Sequence, residues 1–235
     1  MISGETFLYA AIGGLLPALL WLWFWLREDR KNPEPKQLIF LAFIMGALTI
    51  PFVIPLQKYA QTVLTGALLI FIWAAIEEVF KYGFAYFSVL KRKDMNEPID
   101  GVVYMISIAL GFAALENTLF LLDPLSNGYI AESILTGNFR FFGATLLHLL
   151  SSATVGVFIA FGFYRSPGAK WLLTSFGIIL AIVLHTLFNF FIINSNGTSM
   201  LFVFGSVWVG IIILLFVLEK IKRLRRVPIP VFKKK

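Results

Sequence analysis

Hydrophobic runs of roughly 20 residues, the length that crosses a bilayer as a helix, alternate with short polar connections along the chain. The connections are rich in Pro, Gly, Asn or charge, which are typical of turns. The pattern predicts an all-α, polytopic transmembrane helix bundle of about seven spans, in a single integral membrane domain, residues 1–235. The predicted spans cover residues 4–26, 37–57, 62–90, 99–122, 139–164, 171–193 and 199–218.

Composition agrees with a membrane protein. Of the 235 residues, 59% are hydrophobic and 14% are charged, more apolar material than a soluble domain could bury. The chain has no cysteine, which excludes a thiolate nucleophile, cysteine zinc ligands and disulfides. The segment 1–26 lacks a basic start, and its apolar stretch is longer than the core of a signal peptide. We therefore expect a retained first helix.

The distribution of Lys and Arg predicts the orientation of the bundle. The successive connections and the C-terminal tail hold four, one, three, none, two, none and eight basic residues, a strict alternation. By the positive-inside rule the N-terminus lies outside and residues 219–235 form a basic cytoplasmic tail. We interpret this tail as a topology anchor at the lipid bilayer and expect no nucleic-acid partner, despite the net charge of +7.

A small set of ionisable side chains remains inside the predicted spans, where each charge costs about 2.5–3.5 kcal/mol on insertion scales. Such groups usually face the bundle interior, pair with one another and mark a functional site. The set consists of Glu77, Glu78, Lys81, Glu116, Arg140, His148 and His185. These residues belong to four consecutive spans, so we expect the catalytic helices within residues 62–193. Arg140 is the exception, because a cation near a helix start is usually a snorkelling anchor.

Helical spacing indicates how the charges of the third span face each other. Glu77 and Lys81 are separated by four residues and Glu78 and Lys81 by three, so one lysine can pair with both carboxylates. One negative charge then has no cation of its own. A buried carboxylate in that state is suited to acid–base chemistry.

The neighbouring spans show polar residues on faces of small side chains. His148 of the fifth span lies within a line of small residues at four-residue spacing, and His185 of the sixth span aligns with Asn189. The fourth span presents Glu116 and Asn117 after two alanines. Small residues permit close helix contact, so these faces are expected to pack around one polar site that opens toward the outer half of the membrane.

Two kinds of hydrolysis fit these groups. In one, a carboxylate takes a proton from water and histidine or asparagine side chains stabilise the oxyanion, without a covalent intermediate. In the other, a divalent metal such as zinc activates the water. The candidate ligands for such a metal are Glu77, Glu116, His148 and His185. A serine nucleophile is disfavoured, because Ser151 and Ser152 have no nucleophile-elbow context.

A different class of function uses the same residues. Buried carboxylates, histidines and a lysine can form a proton or cation pathway in a transporter or sensor. The predicted spans show no inverted repeat and no pair of broken helices at corresponding positions, which are typical of such transporters. The sequence therefore favours the hydrolase and keeps the transporter as the alternative.

Four sequence blocks in order resemble the PrsW family of intramembrane proteases, which is related to the CPBP superfamily of type II CAAX prenyl endopeptidases. The segment 77–81 matches a Glu-Glu-x-x-Lys motif, and the segment 111–117 resembles the second block, with Glu116 where the CAAX-type relatives carry His. His148 matches the third block, and the segment 185–189 resembles a His-x-x-x-Asn motif. The resemblance covers residues 72–190, about half of the chain.

The resemblance implies a protease in which paired glutamates activate water, with Glu77 as the general base, Glu78 as its partner and Lys81 balancing the charge. It also implies a cut near the outer membrane face of a single-pass membrane protein such as an anti-sigma factor, in a bacterial plasma membrane. Cofactor content stays open, and Glu116 makes a purely histidine-rich metal site less expected. The assisting residues that it implies are His148, His185 and Asn189, with Glu116 and Asn117 in support.

Overall fold

The computed structural model describes residues 3–27, 33–194 and 197–224. Within these ranges the protein is mainly helical and has no β-strand, which confirms the all-α fold class. Turns of π-helix extend the third helix and join the fifth to the sixth. The helices are α1 (Gly4–Leu26), α2 (Lys36–Val63), α3 (Gly66–Ala85, extended by the π-helical turn Tyr86–Leu90), α4 (Asp100–Ser126), α5 (Ile130–Phe139), the π-helical turn Arg140–Ala144, α6 (Thr145–Gly162), α7 (Pro167–Ile193) and α8 (Gly197–Ile221).

Six helices in the described part of the chain are long and apolar enough to cross a membrane, with α5 and α6 forming one continuous helix over residues 130–162. The helix α3 is not among them, because Glu77, Glu78 and Lys81 place three charges within its length. These three side chains are buried, and the large exposed side chains of α3 are apolar. The structure therefore supports an integral membrane protein.

The central helix of the bundle is α4, which packs against α1, α2, α3 and α6. Its residues 100–114 are all buried, as expected for a helix that is apolar on every side. A Cβ added at Gly46 of α2 would lie 1.9 Å from the carbonyl oxygen of Ile108, and one at Gly111 of α4 would lie 1.8 Å from that of Phe43. These glycines let the backbones of α2 and α4 touch, and so they fix the relative position of the two helices.

The small-residue faces of the next helices pack as predicted. A Cβ added at Gly156 of α6 would lie 2.6 Å from the Cα of Val102 on α4. One added at Gly177 of α7 would lie 2.8 Å from the Cβ of Phe158 on α6. Close contacts of this kind bring α4, α6 and α7 together around their polar residues.

The second connection differs from its prediction. The sequence predicts a connection at residues 57–61, but α2 continues through them to Val63. The chain turns only at Leu64 and Thr65, and Gly66 follows with a φ of +62°, a conformation that favours glycine. The polar side chains at 57–61 mark the polar end of a long helix and do not end it.

The fourth connection also differs. The sequence predicts a loop at residues 123–138, but this segment contains the end of α4, a short turn and nearly all of α5. The turn uses Gly128, which has a φ of +76°. The polar Asn138 is tolerated within α5 because its side chain is exposed and its amide bonds the carbonyl of Ile134. As a result, Arg140 lies within a continuous helix and not at a helix start.

At the C-terminal end, α8 reaches Ile221 and the described chain ends at Leu224. Residues 225–235, most of the predicted basic tail, lie outside the described residues. The orientation of the bundle in the membrane stays a prediction.

Candidate active site

The charged segment of α3 points into the bundle. Glu77, Glu78 and Lys81 are all buried, although the rest of the helix carries apolar side chains to its outer surface. The helix packs against α2, α4, α6 and α7, so its polar face meets the helices that carry the other candidate residues. A buried charge has to find compensating partners at such a position.

Glu78 is the best-compensated acid of the site. Its Oε1 atom accepts a hydrogen bond from the Lys81 ammonium at 2.6 Å and from the Ser151 hydroxyl at 3.0 Å, and lies 2.8 Å from Nδ1 of His185. Its Oε2 atom accepts from the Ser152 hydroxyl at 3.3 Å. The two serines are therefore donors to a carboxylate, a role that does not require nucleophilic chemistry.

Glu77 has a different environment from its neighbour. Its Oε1 atom accepts a hydrogen bond from Nε2 of Gln57 at 2.8 Å. Its buried Oε2 atom has no hydrogen-bond partner in the described structure. That oxygen lies 3.8 Å from Nδ1 of His148 and 3.7 Å from Nε2 of His185. The prediction that Lys81 pairs with both glutamates is wrong in one half, because the ammonium is bound to Glu78.

Both histidines present one nitrogen to Glu77 and give the other to a different carboxylate. Nε2 of His148 lies 2.9 Å from Oε2 of Glu116, and Nδ1 of His185 bonds Glu78. Because ionised carboxylates only accept hydrogen bonds, these two ring nitrogens carry the protons. The nitrogens that face Glu77 then carry lone pairs: that of His148 accepts a hydrogen bond from the Lys81 ammonium at 3.2 Å, and that of His185 faces Glu77 at 3.7 Å.

Arg140 joins the site through the fourth helix. Its guanidinium donates to a carboxylate oxygen of Glu116 through one nitrogen and to the amide oxygen of Asn117 through another. The cation also lies 3.9 Å above the ring centroid of Phe120. The prediction of a snorkelling anchor is therefore wrong, and the reason is that α5 and α6 are continuous and carry this residue beside the C-terminal half of α4.

The remaining predicted residues fall into two groups. Asn117 lies in the site, where its amide also donates to the hydroxyl of Thr145 at 2.9 Å. Asn189 lies one turn beyond His185 on α7, is half-buried and makes no side-chain hydrogen bond within the described structure. The structure thus brings Asn189 near the same face without joining it to the network.

Gln57 is the site residue that sequence analysis misses. It lies near the end of α2, in a segment that the sequence predicts as a connection. Its side-chain amide donates to Glu77, and its backbone carbonyl accepts from the Trp73 indole at 3.1 Å. A single glutamine among interfacial residues carries no periodic signal. The sequence signal that could have located Gln57 is the glycine pair Gly46 and Gly111, because their close contact sets how α2 packs on α4.

Three residues of the site fit a divalent metal. One ligand atom from each of Glu77, His148 and His185 can be chosen so that all three lie within 4.8 Å of one another. A tetrahedral zinc site with bonds of about 2.0–2.2 Å places its ligands about 3.3–3.5 Å apart, close to the separations of 3.7 and 3.8 Å from Glu77 Oε2.

The carboxylates around these three residues also suit a metal, and an ion bound at Nδ1 of His148 would replace the hydrogen bond from Lys81. Metal-binding histidines usually donate their second ring N–H to a carboxylate or carbonyl, and here Glu78 and Glu116 fill that role. Glu116 contacts the far edge of the His148 ring, so it is outside the set of three, although the sequence includes it among the candidate ligands.

The fold and the site define a polytopic membrane protein whose buried centre holds the groups needed to activate water. A family profile described as PrsW family intramembrane metalloprotease matches residues 34–218, and the chain therefore belongs to the PrsW family. The protein is accordingly an enzyme, an intramembrane protease, and the family resemblance read from the sequence is confirmed.

Individual relatives agree with the family match. The chain is 28% identical to Protease PrsW of Halalkalibacterium halodurans over 187 residues, 74% of this chain and 79% of the relative. It is 34% identical to Protease PrsW of Geobacillus kaustophilus over 127 residues, 52% and 56% of the two chains. It is 27% identical to Protease PrsW of Bacillus subtilis over 190 residues, 75% and 79% of the two chains. Comparison with solved structures finds no significant match.

Proposed function

We propose that this protease hydrolyses a peptide bond of a membrane-anchored protein with a water molecule activated at Glu77, His148 and His185. One observation carries the proposal: a buried, unpartnered oxygen of Glu77 faces the unprotonated nitrogens of both histidines. No other acid of the described site has an oxygen in this position. A polar group of this kind is costly to bury unless a ligand or water meets it.

The chain's own residues have complementary parts in this scheme. The ionised carboxylate of Glu77 accepts the proton of the attacking water, as a general base does. Glu78, held by Lys81 and two serines, fixes the orientation of His185, and Glu116, held by Arg140, fixes that of His148. Asn189 lies one turn further along α7, where its amide can help to stabilise the oxyanion.

A metal ion would be held by the same three residues, Glu77, His148 and His185. When bound, a zinc-type ion lowers the pKa of its water and polarises the scissile carbonyl. The family description as a metalloprotease and the fit of the donor set support a metal-assisted reaction. In that case Glu77 serves as a ligand, and Glu78 and Glu116 hold the histidines in the correct tautomer.

The substrate is proposed to be a single-pass membrane protein, with an anti-sigma factor as the particular case that the family resemblance suggests. We further propose that α3 crosses the membrane with the six apolar helices, giving seven spans with the N-terminus outside and the C-terminus in the cytoplasm. Burial of the three charges of α3 supports this count. The membrane is proposed to be the bacterial plasma membrane, because the relatives are bacterial proteins.

The alternative, a proton- or cation-coupled transporter or sensor, would use the same buried network. Membership of a protease family does not favour it. A transporter would produce ion flux in vesicles without generating new peptide termini, and so the two functions separate in one experiment.

The test compares new N-termini of membrane proteins in cells that express the wild type, Glu77→Gln or Glu5→Gln at equal levels. Glu5 lies exposed in the first turn of α1 and is the matched control for loss of a carboxylate. We expect termini near the outer membrane face with the wild type and the control, and a loss on the order of 10²–10⁴ in cleavage rate with Glu77→Gln. Identical termini in all three strains would contradict the proposal.

A further inference from the structure

A cavity of about 530 Å³ lies beside the active site. Six residues of α2 and six of α4 form most of its lining, and one residue of α3 and two of α5 complete it. We call it the α2–α5 cleft. Its lining residues include Ile54, Gln57, Trp73, Glu116, Glu132 and Thr136.

The inner end of the cleft joins the catalytic network. Gln57 lines the cleft and donates to Glu77, and Glu116 lines the cleft and bonds His148. Two members of the network are therefore part of the wall, and a molecule in the cleft would contact groups that hold the reactive residues.

The lining of the cleft contains many polar groups. Glutamine, threonine and charged side chains are present in it together with Ile54 and other apolar groups. A groove of similar volume, about 590 Å³ between α1 and α2, is lined mainly by leucine, isoleucine and phenylalanine and would suit a lipid chain. A lipid acyl chain cannot form hydrogen bonds with the polar groups of the α2–α5 cleft.

An unwound peptide, in contrast, requires hydrogen-bond partners of this kind. When a helix opens inside a membrane, its backbone N–H and C=O groups lose their partners and cost several kcal/mol each until they are satisfied. The amide of Gln57 uses one hydrogen for Glu77, so its carbonyl oxygen and second hydrogen can pair with a peptide backbone. The Thr136 hydroxyl of α5 offers another such group in the lining.

We propose that the α2–α5 cleft is the substrate-binding channel, and that it takes an unwound, extended segment of a membrane-spanning substrate. The inference rests on the proposed function, since it names where that substrate lies. Gln57 is the residue that connects binding to chemistry, because it contacts Glu77 and the cleft at once. Substrate spans with helix-breaking residues near the cut are preferred, because their backbone opens at lower cost.

Cross-linking tests the location without requiring turnover. The chain has no cysteine, so Thr136→Cys in the cleft and Leu135→Cys on the exposed face of α5 each create a single thiol. Each is placed in the Glu77→Gln protein in nanodiscs. The probe is a Lys-flanked Leu/Ala peptide span of about 20 residues with one central cysteine beside a Gly-Pro pair, and the measurement is disulfide cross-linking.

We expect several-fold more cross-link at Thr136→Cys than at Leu135→Cys, and a loss of this preference when leucines replace the Gly-Pro pair. Equal cross-linking at the two positions, or equal cross-linking of the two peptides, would overturn the channel proposal. The result does not depend on hydrolysis, so it is separate from the comparison of N-termini that tests the proposed function.

A blocking experiment tests the same channel in the active enzyme. Thr136→Trp fills the cleft, whereas Leu135→Trp adds the same side chain to a neighbouring exposed position. We expect cleavage to fall at least tenfold only for Thr136→Trp, with thermal unfolding of both variants near that of the wild type. Undiminished cleavage by a folded Thr136→Trp protein would overturn the proposal, and if that variant fails to fold, the cross-linking result decides.

Discussion

The ammonium group of Lys81 lies 2.6 Å from Oε1 of Glu78, and both side chains are fully buried. The same lysine lies one helical turn from Glu77, but the unpartnered oxygen of Glu77 receives no hydrogen bond from it. One of two adjacent carboxylates is thus neutralised by a cation and the other is left to the histidines. The two neighbouring glutamates therefore have different environments and different proposed roles.

Removal of Lys81 should destabilise the fold. In Lys81→Met the buried carboxylate of Glu78 loses its cation, and breaking a buried ion pair on one side typically costs about 3–5 kcal/mol. We expect a clearly lower midpoint of thermal unfolding in detergent. The exposed Lys220→Met is the matched control and should leave the midpoint unchanged.

A double variant distinguishes loss of charge balance from loss of packing. In Lys81→Met/Glu78→Gln both charges are gone, so no buried ion is left without a partner. The unfolding midpoint should recover much of the loss, while activity stays low because His185 has lost its carboxylate. A double variant as unstable as the sum of its single variants would show that the two residues are not coupled.

Metal binding should require both histidines. Purified wild-type protein should retain close to one equivalent of a divalent metal, and His148→Ala or His185→Ala should each lose it, because each removes one of three ligands. Elemental analysis of washed protein measures this directly. A histidine variant that keeps full metal content would place the ion elsewhere, and protein active without metal would favour the glutamate-only mechanism.

Metal affinity and cleavage should depend on the two hydrogen bonds of the Arg140 guanidinium, and not on its charge alone. Lysine keeps the charge but cannot bond Glu116 and Asn117 at the same time with a planar group. Because partners behind a metal-binding histidine typically contribute about 10–100-fold in affinity or activity, Arg140→Lys should lower metal affinity and cleavage within that range. Titration of metal-free protein gives the affinity.

The exposed Arg165→Lys carries the same substitution in the connection between α6 and α7 and serves as the control. It should match the wild type in metal affinity and in cleavage. If Arg140→Lys behaves in the same way as this control, the guanidinium is not needed to hold Glu116 against His148.

The contact between α2 and α4 should not tolerate a methyl group. In Gly111→Ala the new Cβ meets the backbone of Phe43 and forces the helices apart, and overpacking of this kind typically costs about 1–3 kcal/mol. Gly83→Ala in α3 has no atom within 4 Å of its new Cβ and should be neutral or slightly stabilising. Thermal unfolding of both variants measures the difference, and equal midpoints would contradict the close contact.

Much of the fold follows from hydrophobic run lengths, because a membrane demands a helix wherever such a run occurs. The two errors have one cause. Polar residues near 57–61 and 123–138 read as connections, yet a helix can extend past the apolar layer when its exposed side can be polar. The length of a hydrophobic run measures the apolar layer and not the whole helix. It therefore does not predict α5 or the last turns of α2.

The site shows a similar division between spacing and contact. Periodicity places Glu77, His148 and His185 on facing helices, and the structure brings them together. It does not decide which carboxylate Lys81 meets, because both lie within helical reach and the choice depends on the serines and histidine of α6 and α7. Gln57 depends on a contact between distant helices, which no local pattern encodes.

The π-helical turn between α5 and α6 sets the angular register of two side chains. Arg140 and His148 are eight residues apart and would point about 80° away from each other in an uninterrupted α-helix. The wide turn takes up one residue and reduces the difference to about 20°, and both side chains bind Oε2 of Glu116. Deleting one residue inside this turn would preserve that alignment, whereas inserting one just after it would rotate the imidazole away from its carboxylate.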